Sequence, residues 1–145
     1  MLLRASKVPS IDFEKFQEEF DLDLLNHTRG MNNFKSVADL IHVRYSHVNL
    51  NQKVFQKDEG KLKLRFIEEF VFSGKPILVS INIQIFSGVH GWHIMLVVDA
   101  TENKLLLLKS VLVDGTMELF PILKTELVRI HKEYQGGDDI AYLQI

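Results

Sequence analysis

The stretch Gly74-Lys75-Pro76-Ile77-Leu78-Val79-Ser80-Ile81-Asn82-Ile83-Gln84-Ile85 divides the chain into two kinds of pattern. Before it, apolar residues recur at helical spacing: Leu64, Ile67 and Val71 share one stripe with Phe66 and Phe70 beside them, which predicts a helix over about Gly60 to Phe72. Gly74 supplies the stop and Pro76 forbids continuation. After Pro76 the period changes to two. Ile77, Val79, Ile81, Ile83 and Ile85 fall on one face and Ser80, Asn82 and Gln84 on the other, the pattern of a half-buried strand built from β-branched residues.

Working toward the N-terminus, residues 10 to 73 read as helical. Ser10 is a candidate N-cap, with Asp12 and Glu14 in the first turn, followed by a stripe of Phe13, Phe16, Phe20 and Leu24. Gly30-Met31-Asn32-Asn33 breaks that pattern, and Ser36 caps a second expected helix that turns Val37, Leu40 and Ile41 inward. The polar stretch Ser46 to Lys53 reads as a connection. Toward the C-terminus the patterns are mostly strands. Trp92 to Asp99 is apolar enough to be a central strand covered on both faces, Glu102-Asn103 turns into Lys104 to Leu108, and Asp114-Gly115 signals a hairpin between Val111–Val113 and Thr116–Phe120. Pro121 suits the first turn of a helix whose inner face would be Leu123, Leu127, Ile130 and Tyr134, and Ile140 to Ile145 closes as a strand. The expectation is one α+β domain, residues 1 to 145, with a helical part at about 10–73 packed on a mainly antiparallel sheet at about 76–145.

The 145 residues, 46% hydrophobic and 25% charged, suit a globular chain with a hydrophobic core. A net charge of −2 without a basic patch argues against a nucleic-acid partner. The best basic run, Lys57 to Arg65, contains Asp58 and Glu59 and reads as a solvated helix face. The absence of cysteine excludes disulfides, thiolate metal sites and a cysteine nucleophile. No apolar run is long enough to span a membrane, and Met1 to Ser6 turns polar too soon for a signal peptide, so the expected location is cytoplasmic with no membrane partner.

Among the six histidines, His90 and His93 flank Gly91-Trp92 as His-x-x-His, which supplies two metal ligands but names no third, so no metal and no cofactor is expected. His27, His42, His47 and His131 are scattered and read as structural or exposed. No nucleophile elbow, phosphate loop or dinucleotide fingerprint occurs. Asp138 and Asp139 lie between a helix and a strand; with no identifiable partner, they read as turn residues more readily than as catalytic carboxylates.

Gly74-Lys75-Pro76-Ile77-Leu78-Val79, followed by Gly91-Trp92-His93-Ile94-Met95-Leu96-Val97-Val98-Asp99, resembles the second half of papain-like cysteine peptidases, in particular the bacteriocin-processing group. The likeness covers about residues 62 to 145. It implies a helix leading through the Gly-Lys-Pro turn into a strand, then a histidine opening the next strand, and it places His93 at the family's general base. The family's nucleophilic cysteine has no counterpart in this sequence, and Lys109-Ser110 stands near where the orienting Asp-Pro is expected. The resemblance therefore implies a degenerate, catalytically inactive member with no catalytic residue beyond a vestigial His93.

A fold that keeps its cleft and loses its nucleophile implies a peptide- or protein-binding module. Its expected mouth is Ser87 to His93, where Trp92 is either an aromatic anchor flanked by His90 and His93 or a core residue pinned between helix and sheet. The rival readings are a small-substrate hydrolase using His93 as base, with Asp114 or Asp138 as the acid, and a subunit of a larger assembly.

Overall fold

The computed structural model describes residue 15 and residues 38–39, 41–43, 45–82, 92–110, 117–133 and 139–144, with backbone alone at Trp92, His93, Lys109, Ser110 and Met117. Its elements are β1 (Asn49–Lys53), α1 (Gly60–Phe72), β2 (Ile77–Asn82), β3 (Trp92–Ala100), β4 (Lys104–Ser110), β5 (Met117–Leu123), α2 (Lys124–Glu133) and β6 (Ile140–Gln144). Helices and an antiparallel sheet make this an α+β chain. It forms two compact units, Gln52–Ala141 in one and Met1–Asn51 with Tyr142–Ile145 in the other.

In the larger unit the strand order is β2-β3-β4-β5, with the first residues of β6, Ile140 and Ala141, beside β2. The three pairings from β2 to β5 are all antiparallel, and they place β3 inside the sheet as its apolar run predicts. The registers Ile77↔Val97, Val79↔Met95, Leu105↔Ile122 and Leu107↔Phe120 put these residues on one face. With Ile67 from α1 and Leu127 and Ile130 from α2, that face forms the core. Each side chain so buried stabilises the fold by about 1.5–3 kcal/mol before entropy is subtracted.

α1 and α2 run antiparallel, because Gly60 lies against Val128 and His131 while Glu68 faces Lys124. Gly60 permits the close approach: a Cβ there would stand 3.1 Å from Val128 Cγ1 and 3.2 Å from Val128 O. Gly74 ends the α1 connection at φ 68°, a left-handed conformation that glycine adopts without strain.

In the smaller unit Asn51 Nδ2 donates to Gln144 Oε1 at 3.2 Å between β1 and β6, whose strands are neighbours. The residues read as a connection, Ser46 to Lys53, therefore contain a strand. Polar side chains hid it, since β1 has a neighbour on one side only and its ladder uses backbone groups that sequence pattern does not report. The expected helical N-terminal half is not borne out. Most of it lies outside the described residues, helical backbone is described at residues 15, 38–39 and 41–43, and β1 follows.

Other differences have local causes. Pro121 lies within β5, not in a helix; β5 is an edge strand, where a missing N–H leaves no interior ladder unpaired, and the helix starts three residues later at Lys124. Leu123 consequently ends the strand and is exposed, outside the inner face of α2, where His131 is buried instead.

On β2, Ser80 and Asn82 are buried rather than solvent-facing. Their face also carries Leu78, paired with Leu96, and is therefore apolar; Ser80 N–H donates to the Asp139 carbonyl at 2.9 Å. The expected continuation of β2 to Ile85 and the turn at Asp114-Gly115 fall outside the described residues, although Ser110↔Met117 pairing gives the β4–β5 hairpin. Among the described side chains of β3, the buried run is Met95 to Val97. The register shifts between Val97 and Asp99, and Val98 is exposed.

Candidate functional site

The residues nominated at the cleft mouth divide. His90 lies outside the described residues, as do Asp114 and Asp138. Trp92 and His93 open β3 opposite Asn82 and Ile81, with their side chains undescribed. No described helix is long and apolar enough to cross a membrane, and no group of three or more His, Asp or Glu among the described residues could hold a metal.

Asp139 has partners, contrary to the reading as a turn residue. It is 1% exposed, and its carboxylate accepts the Phe55 backbone N–H at Oδ2, 2.9 Å, and an Nζ–H of Lys63 at Oδ1, 3.1 Å. Lys63 is 2% exposed, so the run read as a solvated helix face contains a buried cation. His131 Nε2 lies 2.6 Å from the Gln56 carbonyl. A carbonyl only accepts, so Nε2 carries the hydrogen. Nδ1 stands 3.7 Å from Asp139 Oδ1, too far for a hydrogen bond.

These side chains are brought in by α1, α2, the segment after β1 and the residue before β6. Each element is positioned for an independent reason: α1 and α2 by their apolar stripes, and residue 139 by the Ser80 N–H, which donates to the Asp139 carbonyl. Burial lowers the Lys63 pKa below the ordinary lysine value of 10.5, with the Asp139 charge and hydrogen bond opposing the fall.

Lys, Asp and His in one cluster are the parts of an acid–base site. Here Nε2, the nitrogen that would meet a substrate, is committed to Gln56 O, and all three side chains are sealed in the core. The cluster ties four segments together and presents no reacting atom to solvent. Lys63 had one signal in sequence: it stands on the buried stripe Gly60, Lys63, Ile67 at helical spacing.

An open concavity lies on the other side of α1. Leu64 and Val128, both half-buried, form its apolar floor, with Thr125 at one end. Lys61, Arg65, Glu68 and Lys124 surround this floor, and the groove, open to solvent, offers about 440 Å³. Lys124 Nζ and Glu68 Oε1 are 3.6 Å apart across it. The Lys61 and Arg65 side chains are exposed and, among the described residues, make no ion pair or hydrogen bond. On the far side of α2, Arg129 is bracketed by Glu126 at 2.7 Å and Glu133 at 2.8 Å, an exposed pairing one turn apart on each side.

The chain matches no protein-family model, and neither its sequence nor its fold finds a match among curated proteins or solved structures.

Proposed function

We propose that this chain is a peptide- or protein-binding module rather than an enzyme, and that the α1–α2 groove is its binding surface. The observation that carries the reading is the groove itself: an apolar floor inside a charged rim, open to solvent. The ionisable cluster nearest to catalytic composition is closed to solvent and committed to holding the fold. The papain-like relationship belongs to this proposal as its evolutionary part. It is supported by the order α1, Gly74-Lys75-Pro76 turn, β2, then Trp92-His93 at the opening of an antiparallel β3; the absence of the family's cysteine bears only on the loss of peptidase chemistry. Trp92, His90 and His93 remain the alternative binding surface within the same function.

Panning a displayed random-peptide library against the full chain tests this. Peptides are expected to be enriched and recovered intact by mass spectrometry, and Leu64→Gln, with its melting curve checked, is expected to weaken their capture. Cleaved peptides, with cleavage abolished by His93→Ala, would contradict the binding reading and establish the hydrolase.

A further inference from the structure

We propose that the partner of the α1–α2 groove is an acidic peptide segment carrying an aliphatic side chain. The proposal rests on the binding reading and specifies its ligand.

Three cations, Lys61, Arg65 and Lys124, stand around the groove against one carboxylate, Glu68, in a chain whose net charge is −2. Glu68 is engaged by Lys124. That leaves Lys61 and Arg65, four residues apart on one helix face, as adjacent like charges with no counter-ion among the described residues. Such a pair weakens a helix.

Lys61 also lies in the first turn of α1, which contains no acid, at the end where the helix dipole disfavours cations. Lys124 also opens its helix, α2, whose first turn does carry an acid, Glu126. By contrast, Arg129 at the exposed face of α2 has two carboxylates within 2.8 Å. Lys57, Lys75, Lys104 and Lys132 are also exposed without an ion pair among the described residues, so what distinguishes Lys61 and Arg65 is their adjacency beside the apolar floor, where an incoming carboxylate would relieve their repulsion.

The floor sets the second requirement. Leu64 and Val128 are only half-buried and lie between the cations, so an aliphatic side chain placed between two acidic residues covers the floor while its neighbours reach the rim. Along α1 from Lys61 to Glu68 the helix rises about 10 Å, the length of about three extended residues. That matches an acid–aliphatic–acid segment.

Three fluorescent probe peptides test the inference by anisotropy: one of aspartate, glutamate and leucine, one with asparagine and glutamine in place of the acids, and one with alanine in place of leucine. The acidic leucine probe is expected to bind best, by about tenfold over each of the others, and to weaken as salt rises. The double variant Lys61→Glu/Arg65→Glu alters two exposed side chains and is expected to stay folded, its melting temperature within a few degrees of wild type. It should lose about tenfold or more in affinity for the acidic probe, and should bind a lysine–leucine probe more tightly than wild type does.

Unchanged binding of the acidic probe by the double variant would overturn the inference. Equal competition by inorganic polyphosphate or a single-stranded oligonucleotide would also overturn it, as capture of anions by charge alone. Wild-type binding of the neutral probe as tightly as the acidic one would overturn the inference while leaving the binding function standing. Failure to bind peptide of any composition would remove both.

Discussion

Asp139→Ala is expected to destabilise the fold by about 3–5 kcal/mol, the usual cost of removing one partner from a buried ion pair. The variant leaves Lys63, 2% exposed, without its 3.1 Å counter-ion and leaves the Phe55 N–H without its 2.9 Å acceptor. Urea denaturation provides the measurement, and a loss below about 1 kcal/mol would give the pair the standing of a surface salt bridge. Replacing both partners together, Lys63→Met with Asp139→Leu, should recover much of the loss, because no buried charge then stands alone.

The pH dependence has a definite sign. The folded-state pKa of Lys63 lies below 10.5 through burial, so between that value and 10.5 the unfolded chain holds more protons at this site. Its contribution to stability therefore rises with pH across that window. Asp139 holds the pKa up, through its charge and hydrogen bond. Its removal is expected to widen the window and steepen the total gain in stability on going from neutral to alkaline pH.

Phe55→Ala is expected to cost about 3–5 kcal/mol for a different reason, the loss of a large buried ring. Phe55 is 1% exposed and meets Phe66 edge to face at 5.9 Å, and Lys53 Nζ lies 5.2 Å from the Phe55 ring and 4.6 Å from that of Phe66. The backbone N–H that serves Asp139 survives the substitution, so the cost reports packing rather than the ion cluster. Phe55→Leu should cost less, since more of the volume stays filled. Val54→Ala, one residue away at an exposed position, should fall within about 0.5 kcal/mol of wild type. Equal losses at Val54 and Phe55 would contradict the placement of the ring in the core.

Sequence made the local elements legible where a single period dominated. The helix Gly60–Phe72, its Gly74 stop and the strand starting at Ile77 follow from spacing and backbone chemistry within a dozen residues. Pro121 misled because both a helix start and an edge strand accept a residue without N–H, and strand order is a long-range property. β1 escaped because its pairing carries no apolar alternation. The buried cluster was invisible for a related reason: Lys63 and Asp139 are 76 residues apart, and Phe55 and Asp139 are 84 apart. Each looked like an ordinary polar residue until the fold supplied the other. The groove went unread because Lys61 and Arg65 resemble any solvated helix face until α2 is set against them with Lys124 and Val128.

The central claim, that the chain binds peptide in the α1–α2 groove, is tested most directly by backbone amide NMR of the full chain titrated with the acidic leucine probe. The amides of residues 61–68 and 124–128 are expected to shift together along one saturating curve. Shifts confined to residues 87–93, with the α1 and α2 amides unmoved, would contradict the account and return the binding surface to Trp92 and its flanking histidines.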